Sequence, residues 1–355
     1  MTRGAEGRMK SEVSRMKLRN LYGQLLGFLQ WVVYLHCGVL IENLTIHAQY
    51  PTLYAQYPIF QENQTMINAK LAAKSHLNHQ TIIKLTDKVA FGGEELVIIG
   101  GPCTVESPEQ MEKVAQQLAV APVQGLRGGV YKPRSSPYAF QGMGEEGLKI
   151  LADVRSRYNV PVITEVMCIS QIEIVATHAD MLQVGSRNMQ NFDLLKALGQ
   201  AGKPILLKRG LAATIEELVM AAEYILSHGN PDVVLCERGI RSFDNYTRNV
   251  LDLGAVAALK QITHLPVIVD PSHAVGKREL VAPMAKAAVA CGADGLIIEC
   301  HPEPEKSVSD ARQAISLEEM VNLVHSLKPI AAAVGRNIST TTGAGLEPTP
   351  IFCVA

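Results

Sequence analysis

Eight short apolar runs punctuate this chain, and each ends in a polar, cationic or metal-binding residue before a helix-like segment begins. They are ELVIIGGPC (95–103), LRGGVYKPR (126–134), PVITE (161–165), MLQVGSR (181–187), PILLKRG (204–210), VVLCERG (233–239), PVIVDPSH (266–273) and GLIIECH (295–301). The segments between them, such as SPEQMEKVAQQLAVA (107–121) and TIEELVMAAEYILSHGN (214–230), place apolar residues at three- and four-residue intervals. That spacing gives a helix one core-facing stripe. Ser107, Pro108 and Glu109 form a good helix start. Eight such alternations favour a closed (β/α)8 barrel over an open doubly wound sheet.

A barrel of this kind builds its active site at the C-terminal ends of its strands. On that reading one rim receives Cys103, Lys132 with Arg134, Glu165, Arg187, Lys208, Glu237 with Arg238, His273 and Glu299. Taken alone, Cys103 reads as a small buried apolar residue. Joined by His273, Glu299 and Asp310 of SVSDAR, it becomes part of a mixed soft and hard donor set. Such a set suits a divalent Mn, Fe, Co or Zn ion. Arg127, Lys132, Arg134, Arg187, Lys208 and Arg238 lie in or just after strands, where a cation seldom sits without an anion. Guanidinium forks and ammonium charges bind phosphate and carboxylate well, so this many cations predict a substrate with more than one anionic group. No Walker loop and no dinucleotide fingerprint follows a strand. The pairs Gly100-Gly101 and Gly128-Gly129 read as points of close backbone approach.

The chain has 355 residues, a net charge of −1 and a pI near 6.8. One barrel of about 250 residues plus extra segments fits that length. Near-neutral charge argues against a nucleic-acid-binding surface, which needs a basic stripe. Seven scattered cysteines without a CxxC pair read as reduced thiols of a cytoplasmic protein. Residues 1–19 are basic, and residues 25–41 form an apolar run holding the only Trp. Basic-then-apolar is the pattern of a signal segment. The run is nevertheless shorter than the ~20 residues of a membrane span and contains Gln30 and His36. Composition changes at Met66, so residues 1–65 are expected to be a non-native or disordered extension without a membrane role. Residues 66–94 read as a lead-in with a hairpin under the barrel floor, its turn at Gly92-Gly93. The barrel itself spans 95–336, and the Thr/Gly/Pro-rich tail 337–355 is expected to be disordered.

The motifs IIGGPCTVES, VYKPRSSPYAFQGMGEEGL, ITEVM, GSRNMQN, LLKRG, ERGIRSFDNYTRN, DPSHAVGKRE, GLIIECHPEPEKSVSDARQ and SLEEM fall in one order and spacing across residues 66–336. Together they closely resemble the 3-deoxy-D-arabino-heptulosonate 7-phosphate (DAHP) synthases, in their short type I-beta branch. The resemblance implies condensation of phosphoenolpyruvate (PEP) with D-erythrose 4-phosphate and water to give DAHP and phosphate, the first step of the shikimate pathway. It implies that Cys103, His273, Glu299 and Asp310 hold a divalent metal. Arg127, Lys132, Arg187, Lys208 and Arg238 would hold the phosphate and carboxylate of PEP. Arg134, Ser135 and Ser136 would hold the aldose phosphate. Glu165 would lie beside the reacting carbons, and Lys132, Glu165 and His273 would be the catalytic groups. A homo-oligomer, dimer or tetramer, is also implied. The nearest alternative is 3-deoxy-D-manno-octulosonate 8-phosphate synthase, which typically carries an Ala-Asn pair between the Lys and Arg that here stand in KPRSS (132–136). A Schiff-base aldolase with Lys208 as nucleophile is a further alternative.

Overall fold

The computed structural model describes residues 67–134 and 136–339. The expectations for residues 1–65, for Ser135 and for most of the tail therefore lie outside the described residues. Eight parallel strands close into a (β/α)8 barrel: β3 (Val97–Gly101), β4 (Gly125–Arg127), β5 (Val162–Glu165), β6 (Met181–Val184), β7 (Ile205–Lys208), β8 (Val233–Glu237), β9 (Val267–Val269) and β10 (Gly295–His301). Closure comes from β10, which pairs with β9 through Leu296 and Val269 and with β3 through Ile297 and Ile99. The helices are α1 (Pro108–Ala119), α2 (Glu145–Tyr158), α3 (Ile172–His178), α4 (Phe192–Leu198), α5 (Ile215–Ser227), α6 (Leu253–Ile262), α7 (Pro271–Val275), α8 (Arg278–Ala290) and α9 (Leu317–Ala333). A short strand, β11 (Ile315–Ser316), leads into α9. As the sequence suggests, Ser107 caps α1 by accepting from Gln110 N at 3.1 Å, with Pro108 in its first turn.

Alternation along the strands sets two layers. Ile98, Leu126, Val162, Leu182, Leu207, Leu235, Val267 and Leu296 point outward and pack with the helices. Val97, Ile99, Ile163, Met181, Leu206, Val234, Cys236, Ile268 and Ile297 fill the barrel interior. Side chains repeat every two residues along a strand. The next inward positions after that apolar fill are therefore Arg127, Glu165, Gln183, Lys208, Arg238, Asp270 and Glu299, which form a polar layer at the C-terminal mouth.

The N-terminal hairpin is present, as β1 (Ile83–Lys84) and β2 (Ala90–Phe91) in antiparallel pairing. Its turn differs from the one expected. The chain reverses at Thr86–Lys88, where Thr86 Oγ1 accepts from Lys88 N and Val89 N at 3.2 and 3.1 Å. A hydroxyl that satisfies two turn amides wins over the glycine pair. Gly92 follows β2 with φ 83°, and a Cβ there would collide with the Thr81 carbonyl, so its glycine serves a close crossing of the chain. Ile83, Val89 and Phe91 belong to the interior apolar cluster, so the hairpin plugs the N-terminal end of the barrel. Ahead of it, the Glu223 carboxylate accepts from the amides of Lys70, Leu71 and Ala72, and His264 Nε2 donates to Leu71 O at 2.6 Å. At the other end Leu96 N donates to Asn337 O at 2.7 Å and Ile338 is buried, so the tail segment starts docked on the barrel.

Candidate active site

At the C-terminal mouth Cys103, His273, Glu299 and Asp310 each offer one ligand atom, and all four atoms lie within 4.8 Å of one another. They come from four places: the loop after β3, the first turn of α7, the end of β10 and the loop beyond it. Two backbone features bring them together. Gly101 has φ 141°, and a Cβ on it would collide with the Arg127 carbonyl, so only glycine lets β3 turn Cys103 inward. Asp310 takes a left-handed φ of 55°, a conformation its short polar side chain tolerates.

Within the set, Cys103 Sγ lies 3.1 Å from Asp310 Oδ2, and His273 Nε2 lies 3.2 Å from Glu299 Oε1. Glu299 Oε1 is buried without a hydrogen bond, although Arg127 Nη2 approaches it to 3.1 Å. A thiol, an imidazole and two carboxylates, one with an oxygen left open inside the cluster, fit a divalent cation. The protonation states agree for three of the four. Burial disfavours the charge on His273 more than Asp270 and Glu299 favour it, so the imidazole is held below its ordinary value, as a neutral donor. Burial works against ionising Glu299, but His273 and Arg127 outweigh it and hold the carboxyl below its usual range. Asp310, pulled down by His273 and Arg248 against its own burial, falls to about 2. Cys103 differs: burial, helped by Glu299, pushes its thiol up to about 12.

The cations divide into those at the cluster and those on the rim. Lys132 is buried, with Nζ donating to Cys103 O at 2.8 Å and to Cys103 Sγ at 3.0 Å. Gly129 makes room for it, because a Cβ there would stand 2.9 Å from Lys132 Cδ. Arg127 donates through Nε to Pro102 O at 3.2 Å, leaving Nη1 buried and unpartnered. Arg238 Nη1 is likewise buried without a partner, and burial lowers its pKa with only partial relief from Asp270. A buried guanidinium nitrogen without a partner, one on each of these two arginines, is costly unless an anion completes it. Lys208 is buried and ion-paired with Asp270. Glu165 accepts from Gln183 Nε2 at 3.1 Å through one oxygen and leaves the other buried and open. Arg134 lies at the rim, donating to Phe140 O at 3.0 Å, with Nη2 buried and unpartnered. Ser136 and Arg187 are exposed, and Arg187 makes no hydrogen bond or ion pair among the described residues. The buried cluster thus includes neither of these two.

One expected rim residue is displaced. Glu237 ends β8 and Arg238 follows it directly, so the two face opposite sides of the wall. Glu237 is buried under the helical layer, where Arg209 Nη1 reaches it at 2.8 Å and Asp252 at 3.0 Å. Three residues of the site escaped the motif reading. Asp270, fully buried, accepts from His273 Nδ1 at 2.7 Å. Gln313 donates to Glu299 Oε2, and Arg248 joins Gln313 Oε1 at 3.0 Å and Asp310 Oδ1 at 3.3 Å. The strand alternation from Ile268 carries the signal for Asp270. The other two lie in loops, where no periodicity points to them.

Comparison with known proteins agrees with this geometry. The family model "DAHP synthetase I family" matches residues 77–334. The chain is 46% identical over 270 residues to the phospho-2-dehydro-3-deoxyheptonate aldolase of Thermotoga maritima, covering 76% of this chain and 80% of that one. Against the 2-dehydro-3-deoxyphosphooctonate aldolase of Syntrophotalea carbinolica the identity is 32%, over 72% of this chain and 98% of the relative. The crystal structure of the Thermotoga maritima DAHP synthase superposes with a TM-score of 0.75 at 45% identity, over 78% of this chain and 80% of that one. Its truncated form gives 0.71 at 43% identity, with 76% of this chain covered and 98% of that one. With a closed barrel, the donor cluster and the cations at its mouth, the chain belongs to the DAHP synthetase I family.

Proposed function

We propose that this chain is a metal-dependent DAHP synthase, condensing PEP with D-erythrose 4-phosphate and water to DAHP and inorganic phosphate. The observation that carries the reading is a four-donor cluster flanked by two buried guanidiniums, Arg127 and Arg238, each with a terminal nitrogen left without a partner. Cys103, His273, Glu299 and Asp310 would hold the divalent ion, Mn, Fe, Co or Zn. When bound, that ion supplies Lewis-acid polarisation to the aldehyde oxygen. Arg127 and Arg238 turn their open N–H groups to the phosphate and carboxylate of PEP, with Lys132, Lys208 and Arg187 adding positive charge. Arg134, Ser135 and Ser136 take the aldose phosphate at the rim. The PEP methylene carbon attacks the aldehyde carbon, and Lys132 gives a proton to the new alkoxide. Glu165, with its open buried oxygen, orients the water that adds to the adjacent cationic carbon. The hemiketal phosphate then loses phosphate by C–O cleavage. His273 serves the reaction as a ligand, held in its neutral form.

Identity to the octulosonate relatives keeps a second reading open, and KPRSS at 132–136 favours the four-carbon aldose. Lys208 is engaged by the buried Asp270 carboxylate, which occupies its Nζ and disfavours its use as a Schiff-base nucleophile. The test is steady-state kinetics with PEP and each aldose phosphate. Higher kcat/KM for arabinose 5-phosphate than for erythrose 4-phosphate overturns the assignment. The five described cysteines are free thiols, which suits a reducing cytoplasm. No described helix is long and apolar enough to cross a membrane. A homodimer or homotetramer is part of the reading, and light scattering of the purified protein checks it.

A further inference from the structure

We infer that Asp270 is a positioning residue that couples metal binding to PEP binding, an inference that rests on the function proposed above. Its carboxylate is fully buried and divided between three partners. Oδ1 accepts from His273 N at 2.9 Å and so caps α7. Oδ2 accepts from His273 Nδ1 at 2.7 Å and from Lys208 Nζ. One oxygen therefore joins a donor of the metal cluster to a cation of the substrate mouth.

The shared oxygen makes the two halves answer each other. A cation on His273 Nε2 polarises the ring and strengthens the Nδ1–H bond to Asp270. Negative charge drawn toward His273 is withdrawn from Lys208, whose ammonium then has more attraction left for an anion. In the other direction, an anion that engages Lys208 leaves the carboxylate to His273 and makes the imidazole a better donor. Coupling of this kind is reciprocal. Each ligand therefore tightens the other by the same factor.

Asparagine cannot reproduce the arrangement. Its single oxygen can face the α7 amide or the His273–Lys208 pair, but the NH2 group then meets N–H donors on the other side. The experiment measures Co2+ affinity by the thiolate absorption of the loaded site, and PEP affinity by calorimetry with and without Co2+. The expected result for the parent is PEP binding tightened by Co2+ about fivefold or more. In Asp270→Asn, Co2+ affinity falls about 10- to 100-fold, and the tightening of PEP shrinks severalfold toward unity. A tightening factor equal to the parent's, whatever the loss of metal affinity, overturns the inference and reduces Asp270 to a structural residue.

A second pair of variants guards against misfolding of Asp270→Asn. Lys208→Gln and Arg238→Gln each remove one cation from the mouth, but only Lys208 touches Asp270. Co2+ affinity should shift more in Lys208→Gln, and equal shifts overturn the inference. If the parent binds Co2+ but not PEP, the functional reading itself fails and the inference with it. If both bind and the tightening survives in Asp270→Asn, only the inference fails.

Discussion

Metal uptake should release one proton, and Cys103 is its source. Burial, reinforced by Glu299, raises the thiol from an ordinary 9.0 to about 12, and Lys132 at 3.0 Å does not cancel that rise. A cation that binds the thiolate must therefore expel a proton that the protein holds tightly. The rise from 9.0 to about 12 adds about 4 kcal/mol to the ionisation cost at neutral pH. The other donors contribute no proton there: His273 lies below its ordinary 6.5, Glu299 below 4.5 and Asp310 near 2. The sign follows from competition. As pH rises, the competing proton becomes scarcer, so metal affinity rises about tenfold per pH unit from pH 7 to 9, or ~1.4 kcal/mol. Calorimetric titration with Mn2+ in two buffers of different ionisation enthalpy counts the protons directly. One proton per Mn2+ is expected for the parent, and none for Cys103→Ser, because a serine hydroxyl keeps its proton. Affinity independent of pH, or undiminished proton release in Cys103→Ser, refutes the assignment of the thiol as a ligand.

Other consequences are local. Phe91→Ala empties the hairpin's plug of the barrel floor and should cost about 3–5 kcal/mol in urea unfolding. Metal affinity should hold, because the plug lies at the opposite end from the site. Gly185→Ala would drive a Cβ into the Glu165 carboxylate, so turnover should fall about 100-fold while Mn2+ affinity stays put. Equal loss of both would show that the damage is not confined to Glu165. The described residues between 67 and 339 hold the hairpin, all eight barrel strands and the donor cluster, so a protein of residues 66–355 should fold, bind metal and turn over like the full chain. A truncated protein that is insoluble or inactive while the full chain is active contradicts that expectation.

The sequence was most legible where strand alternation and strand ends coincide. All eight runs became barrel strands, and Cys103, His273, Glu299 and Asp310 converge as their positions implied. The errors have specific physical causes. Glu237 ends an apolar run, which points it to the rim, yet parity along β8 sends it outward to Arg209. The same parity from Ile268 would have found Asp270. The hairpin turn went to Thr86 because a side-chain hydroxyl closed the loop, while Gly92-Gly93, the stronger turn signal in the sequence, serves a crossing. Arg248 and Gln313 reach the metal cluster from loops, so their partners depend on tertiary folding alone.

The central claim, carbon–carbon condensation with C–O cleavage of PEP, is tested most directly with PEP carrying 18O in its bridging oxygen. The metal-loaded protein is mixed with this PEP and erythrose 4-phosphate, and both products are weighed by mass spectrometry. The label should leave entirely with inorganic phosphate, a seven-carbon sugar acid phosphate should accumulate in equal amount, and stripping the metal should stop both. Label retained in the sugar product, or phosphate released without consumption of erythrose 4-phosphate, would contradict it.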